Sequence, residues 1–267
     1  MKYLKNFNEN INRSEIEAIC KKYNITNYTI NEDGSIDVDG NVNLKRNNLR
    51  ELPLKFRNVV GNFYCEFNQL TSLDGAPKSV GDYFNCRDNK LTTLEGAPQR
   101  VGGEFDCSYN KLTSLVGCPQ YIGGGFYCIS NQLTSLVGCP QSVGGNFECS
   151  GNQLTTLEGA PKRVYGDFSC YNNKLKNIDY LPKYYKKLFI KNNPISKIIK
   201  LFTTSDRTGV IYDNREDKDL IMDFIDREII QQDKLLVNRL VEFSHDIGKP
   251  KSKEELIELL KNDYEIR

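Results

Sequence analysis

The sequence predicts a repeat solenoid built on a parallel β-sheet, closed by a small α+β cap at one end and by helices at the other. Three observations carry this reading. First, a nine-residue segment recurs as CEFNQLTSL, CRDNKLTTL, CSYNKLTSL, CISNQLTSL and CSGNQLTTL, starting at Cys65, Cys86, Cys107, Cys128 and Cys149, with CYNNKLKNI at Cys170 as a sixth copy. Second, the spacing is 21 residues each time, a period typical of stacked units that cannot bury a hydrophobic face alone. Third, the period is lost on both sides of the array, where the pattern changes to helical and hairpin signals.

The first unit expected is a cap over residues 1–41. Within it, Ser14 to Ile25 (SEIEAICKKYNI) reads as a helix opened by Ser14 with Glu17 three residues later. The stretch YTINEDGSIDVDGNVNL alternates around Asp33-Gly34, a hairpin signal. Asp33, Asp37 and Asp39 lack the closing glutamate of a calcium loop and read as solvated turn carboxylates.

The second unit spans residues 42–195. Phe63, Phe84, Phe105, Phe126, Phe147 and Phe168 form one column, and Asn68, Asn89, Asn110, Asn131, Asn152 and Asn173 another. Phe and Cys alternate with polar residues, so both point to one side of a short strand. Stacked copies then form a parallel sheet with one strand per turn, and the Asn side chains satisfy backbone groups where each strand ends. Gly75, Gly96, Gly117, Gly138 and Gly159 allow positive φ at the outer turn, and Pro77, Pro98, Pro119, Pro140 and Pro161 disfavour helix there. The pairs Gly102-Gly103, Gly123-Gly124 and Gly144-Gly145 read as tight bends and not as a phosphate cradle, because no helix with Lys-Ser/Thr follows.

The segment Phe63-x-Cys65-x-x-Asn68-x-Leu70 and its copies resemble the leucine-rich repeat. An incomplete copy precedes them at Val42-Asn43-Leu44, with Asn47 and Leu49, and one a residue shorter follows from Leu188 to Ile195. The short unit with Leu-Thr-x-Leu and a proline is most similar to bacterial and phage forms of that family. It departs from the usual pattern in its Phe and Cys columns and in its glycine pairs. The resemblance implies a curved leucine-rich-repeat sheet, a convex side without helices, and protein recognition on the concave face. It also invites comparison with bacterial effector ubiquitin ligases, but residues 196–267 contain no cysteine nucleophile and are too short for such a domain.

The nine cysteines include no C-x-x-C pair. The repeat cysteines share the Phe side, and Cys118 and Cys139 stand where other copies have alanine. Packed, reduced thiols are expected, with Cys20 on the core side of its helix.

The third unit, residues 196–267, reads as a helical C-terminal region packed on the last turns. PISKIIKLF begins it, GVIYD (Gly209 to Asp213) is a short strand, and Leu220, Ile221, Phe224, Ile225 and Ile229 lie at helical spacing. KLLVNRLVEFSHDI continues the helical pattern, and Ser252 with Glu255 opens a last helix. His245 has no evident catalytic partner.

Composition narrows the function. The 267 residues are 39% hydrophobic and 27% charged, with a net charge of +1 and a mean hydropathy of -0.54. That balance gives no electrostatic reason to expect nucleic acid or a membrane as the main partner. No apolar run approaches the roughly 20 residues of a spanning helix, and MKYLKNFNENINRSE lacks a signal-peptide core. A cytoplasmic location in a bacterial host or source cell is expected, with no cofactor and no metal. No Ser-His-Asp set, metal-ligand pair or Walker loop appears, so no catalytic residue is expected.

The positions between core columns differ from copy to copy, and they are the candidate partner-binding residues. They are Tyr64, Glu66 and Phe67 in one coil, then Tyr83, Asn85 and Arg87, then Glu104, Asp106 and Tyr109. Tyr127 and Ile129 follow, then Glu148, and Tyr171. Asn146, Asp167 and Phe189 share the same face. Tyr and Arg are the residue types that anchor protein interfaces. The expected function is a non-catalytic scaffold that binds a partner protein of unknown identity. A phage origin would make a blocker of a host defence factor the natural case, and a structural or assembly component is the alternative.

Overall fold

The computed structural model describes residues 12–203, 210–211, 215–231 and 234–267. The expected absence of a signal-peptide core, and Gly209, Tyr212 and Asp213 of the expected GVIYD strand, fall mainly or wholly outside them.

The chain winds as a β-solenoid, and each coil contributes two short strands instead of the single strand expected. The front ladder holds Val42–Asn43, Phe63–Tyr64, Phe84–Asn85, Phe105–Asp106, Phe126–Tyr127, Phe147–Glu148, Phe168–Ser169 and Leu188–Phe189, all parallel. Phe stacks on Phe in register, for example Phe63 on Phe84 and Phe126 on Phe147. A back ladder runs through Ile36–Val38, Phe56–Val59, Ser79–Val80, Arg100–Val101 and Tyr121–Ile122, continuing as the pair Ser142–Val143 and Arg163–Val164. The back of each coil is therefore extended and helix-free, as the short unit requires, but it is an ordered ladder of its own.

The core lies between the two ladders. The Phe, Cys and paired Leu columns of the central coils are fully buried, and the Val/Ile column of the back strands is buried against them. All nine cysteines are free and buried. Repeat thiols donate to the carbonyl of the next coil, Cys65 Sγ to Asn85 O at 3.3 Å and Cys149 Sγ to Ser169 O at 3.2 Å. Burial pushes the Cys118 thiol up to about 12 and raises those of the repeat column further, which keeps them protonated and inert. Neighbouring phenylalanine rings sit with centroids 5.3–5.6 Å apart along the column.

The glycine pairs turn the chain from back strand to front strand, and their reason differs from the one expected. An added Cβ on Gly81, Gly102, Gly123 or Gly144 would lie 1.9–2.0 Å from a carbonyl oxygen of the preceding coil. Close stacking of backbone, and not positive φ, excludes a side chain at these four positions, whereas Val60 and Tyr165 carry one at the two ends of the column. Of these two glycine columns only the outer-turn one has positive φ, with Gly75, Gly96, Gly117, Gly138 and Gly159 at 83 to 99°.

Both ends are covered. Helix α1 (Arg13–Lys22) is capped by Asn12 and not by Ser14: Glu15 N donates to Asn12 Oδ1 at 3.0 Å, and the Glu15 carboxylate accepts from Asn12 N at 3.3 Å. Ser14 lies inside the helix and donates to the same Asn12 oxygen. The expected hairpin is present, Tyr28–Ile30 against Ile36–Val38. Its carboxylates are employed locally, Asp33 accepting from Ser35 and Asp37 pairing with Arg57.

The C-terminal region contains α2 (Ile195–Phe202), α3 (Arg215–Asp226), α4 (Val237–Asp246) and α5 (Lys253–Leu260). It is not wholly helical. Ile230–Gln231, Lys234–Leu235 and Glu265–Ile266 form a small sheet that interrupts the expected continuous helical run. Val210–Ile211 pairs antiparallel with Leu188–Phe189 and ends the front ladder. Rings of Phe202, Phe224 and Phe243 meet at 5.0–5.8 Å. Tyr264 Oη donates to Lys176 O at 2.8 Å, which ties this region to the last coil. Ser252 caps α5 as expected, accepting from Glu255 N at 3.1 Å.

The coil contact at the glycine corner generates a prediction. Gly123→Ala places a methyl group against the Gly102 carbonyl and is expected to cost about 3 kcal/mol, the upper end of overpacking. Gly34→Ala, which meets nothing within 4 Å but keeps φ of 75°, should cost only about 1 kcal/mol. Urea unfolding of the two variants checks the order.

Candidate functional site

The front ladder presents one row of outward side chains per strand position, flanked by the rows at the strand ends. The sequence-predicted residues all lie in these rows, but their accessibility divides them. Phe67, Tyr109 and Tyr171 are exposed at 40%, 43% and 37%, and Glu104 is exposed. Tyr64, Tyr83, Arg87, Tyr127, Ile129 and Glu148 are half-buried. Glu66, Asn85 and Asp106 are buried, contrary to the expectation that the whole row stands free.

Local backbone chemistry explains the buried ones. Asn85 Oδ1 accepts from Arg87 N at 3.0 Å, and Asp106 Oδ1 accepts from Ser108 N at 2.9 Å. Both side chains fold back two residues along their own strand, the habit of Asn and Asp at a bend. Asn146 Oδ1 similarly accepts from Asp167 N of the following coil at 2.9 Å. Ile129 N donates to Ser108 Oγ at 3.2 Å, one more coil-to-coil tie.

The half-buried tyrosines are held by carboxylates. Tyr83 Oη donates to Asp106 Oδ2 at 3.3 Å and Tyr127 Oη to Glu104 Oε1 at 3.2 Å, each reaching across one coil. The Tyr64 ring meets Tyr83 edge-on at 5.8 Å. Burial, reinforced by the Glu104 charge, pushes the Tyr127 hydroxyl up to about 12, and burial with Asp106 and Glu104 nearby raises that of Tyr83. The centre of the face is thus acidic and aromatic.

The rim carries cations laid over rings. The Arg46 guanidinium sits 4.3 Å from the Phe67 ring centroid and that of Arg87 4.4 Å from Tyr109. Arg87 also pairs with Asp88 at 3.0 Å. Phe67 and Tyr109 occupy left-handed backbone, φ 56° and 55°, at the same repeat position as Gly151. That conformation turns their rings outward past the end of the strand. Their exposure is therefore a property of the bend, not of strand alternation.

Glu66 is the one carboxylate of this face with a buried oxygen, Oε2, that has no hydrogen-bond partner. Burial raises its pKa above the usual carboxylate range; a backbone hydrogen bond and Lys45 oppose the shift, and Asp106 adds to it. Burial also raises Glu148, opposed by a hydrogen bond from Ser169. Among the described residues no group of three His, Cys, Asp or Glu side chains is placed to hold a metal ion, and no helix is long and apolar enough to cross a membrane. His245 closes α4, where its neighbour Asp246 pairs with Arg227 at 2.6 Å.

Comparison with protein-family models, with curated proteins and with solved structures returned no match.

The raised pKa of Glu66 has a sign that can be measured. The folded state holds this proton more tightly than the unfolded chain, so the ionised carboxylate opposes folding at neutral pH. That opposition fades as pH falls through the folded value towards the ordinary carboxylate range near about 4.3. Glu66→Gln should therefore melt higher than wild type at neutral pH, with the increment shrinking on acidification. Thermal melts across the acid range test it, and a pH-independent increment contradicts it.

Proposed function

We propose that the chain is a non-catalytic scaffold of leucine-rich-repeat type that binds a partner protein on the face of its front ladder. The supporting observation is the contrast between columns. Phe, Cys, Asn and Leu recur almost unchanged and are spent on packing, whereas the outward rows change from coil to coil. Nothing in the winding requires Phe67, Tyr109 and Tyr171 to be large, since Ser130 and Gly151 occupy the same bend as Phe67 and Tyr109, and Ser108 and Ser150 the column of Tyr171. Aromatic side chains kept in water at such positions, two of them under guanidinium groups, have the composition of interface anchors.

The acidic centre and cation-bearing rim give this face a defined polarity, so a partner with a complementary basic centre is the natural fit. An assembly role is the weaker reading. A polymerising solenoid leaves an end open, whereas here α1 with its hairpin and the C-terminal helices cover the two ends of the described coils.

The triple variant Phe67→Ala/Tyr109→Ala/Tyr171→Ala tests the proposal. Affinity capture from extract of the source cell identifies a partner, and titration of the purified partner follows. Each anchor is worth about 2 kcal/mol, so the variant should bind at least tenfold more weakly with an unchanged circular dichroism spectrum. Unchanged affinity would move the interface off this face.

A further inference from the structure

The formal net charge of +1 conceals a segregated charge. Residues 162–200 contain ten lysines and arginines against two aspartates, a net of +8, which leaves the other 228 residues at -7. This basic stretch runs from Arg163–Val164 through Phe168–Ser169 and Leu188–Phe189 into α2, and its cations do not spread evenly over the surface. Lys162, Arg163, Lys183 and Lys186 line two adjoining clefts of about 460 and 660 Å³ on the back ladder, with no carboxylate in either lining.

Aromatic rings stand among these cations. Tyr165, Tyr180 and Tyr184 line the same clefts and are 61%, 64% and 60% exposed. Two of them depart from the repeat. Tyr165 stands in the column of Gly81, Gly102, Gly123 and Gly144, and Tyr180 in the outer-turn column of Gly75 to Gly159, where it keeps a φ of 66°. Neither ring is demanded by packing, and the second occupies backbone that disfavours a side chain.

Register extends the pattern along the back ladder. Arg100 pairs with Tyr121, and Ser142 with Arg163 and Arg163 with Tyr184; the strands of Tyr121 and Ser142 adjoin without pairing, and the 21-residue spacing makes the five exposed positions read Arg, Tyr, Ser, Arg, Tyr. The Arg100 guanidinium lies 3.8 Å from the Tyr121 ring centroid, and that of Arg163 5.3 Å from Tyr184. At about 4.8 Å per strand the row is about 19 Å long.

We propose that this basic and aromatic edge of the back ladder is a binding site for single-stranded nucleic acid, separate from the front face. Cations in a groove track a phosphate backbone, and exposed rings at intervals offer stacking platforms to unpaired bases. An acidic protein segment would also meet the cations, but a strand of unpaired bases matches both the cations and the flat faces of the three rings between them. A duplex hides its bases from such rings.

Fluorescence anisotropy of a labelled oligothymidylate of about 16 nucleotides, titrated with the full chain, tests the site. Saturable binding should weaken with salt along a log-log slope of about -3, the value for four neutralised phosphates on a single strand. Tyr165→Ala/Tyr184→Ala should weaken binding tenfold or more with the slope unchanged. Lys183→Ala/Lys186→Ala should reduce the slope by about 1.4. The front-face triple variant should bind as wild type, which separates this site from the protein-binding reading. The two tyrosines are exposed, so an unchanged melting temperature should accompany their loss. Absence of binding at low salt overturns the proposal. So do equal affinity of the tyrosine variant, tighter binding of the corresponding duplex, or displacement of the oligonucleotide by polyglutamate at equal charge concentration.

Discussion

The structure depends on how a thin coil satisfies its own backbone at the bend that follows each front strand. The bend lies against the core, where an unpaired peptide group is costly. The asparagine column resolves this. Asn110 is typical: its Nδ2 donates to Cys86 O, Cys107 O and Ser108 O at 3.1–3.2 Å, and its Oδ1 accepts from Leu91 N at 3.0 Å. Two of those partners belong to the coil before it. Each asparagine therefore closes one bend and fastens that coil to its neighbour, and the pattern repeats from Asn68 to Asn193. Once the coils are held at this spacing, the glycine corner, the ring stack and the thiol contacts follow from lack of room.

That constraint divides the surface into roles. Inward columns are determined by the neighbour above and below, so they repeat. Outward rows are freer: some side chains turn back on their own strand, like Asn85, some reach one coil away, like Tyr83 and Tyr127, and others stand in water, like Phe67. The front face thereby acquires a fixed acidic centre and a variable aromatic rim. The back ladder acquires an aligned row whose chemistry becomes basic towards the last coil. The two proposed sites rest on this difference in chemistry between two faces of one winding, which the nearly zero net charge of the whole chain conceals.

Much of this was legible in the sequence because a 21-residue period repeats each environment several times. The Phe, Cys, Asn and Leu columns, the positive φ at Gly75 and its equivalents, the hairpin around Asp33-Gly34 and the cap at Ser252 were all readable. The second ladder was not, since strands as short as Ser79–Val80 show no alternation. The role of Gly102 was hidden for a different reason: the atom that forbids a side chain there is the Gly81 carbonyl, one coil away. In the C-terminal region, Ile229, Ile230 and Leu235 fit a helical spacing as well as a strand, and pairing with Glu265–Ile266 decided between them. For the candidate site, Tyr109 and Phe67 were rightly expected to be exposed, but burial of Glu66 depends on packing across coils that no local pattern reports. The basic cluster was visible all along in YLPKYYKK and its surroundings, masked only by summing charge over the whole chain.

The most direct measurement is equilibrium unfolding of Asn110→Ala beside Gln132→Ala, an exposed position in the following coil. If the asparagine column holds the coils together, losing four buried hydrogen bonds from Asn110 should cost about 3 kcal/mol or more, while Gln132→Ala stays within about 0.5 kcal/mol of wild type. Equal, small losses at both positions would contradict the account, because the coils would then be held by apolar stacking alone.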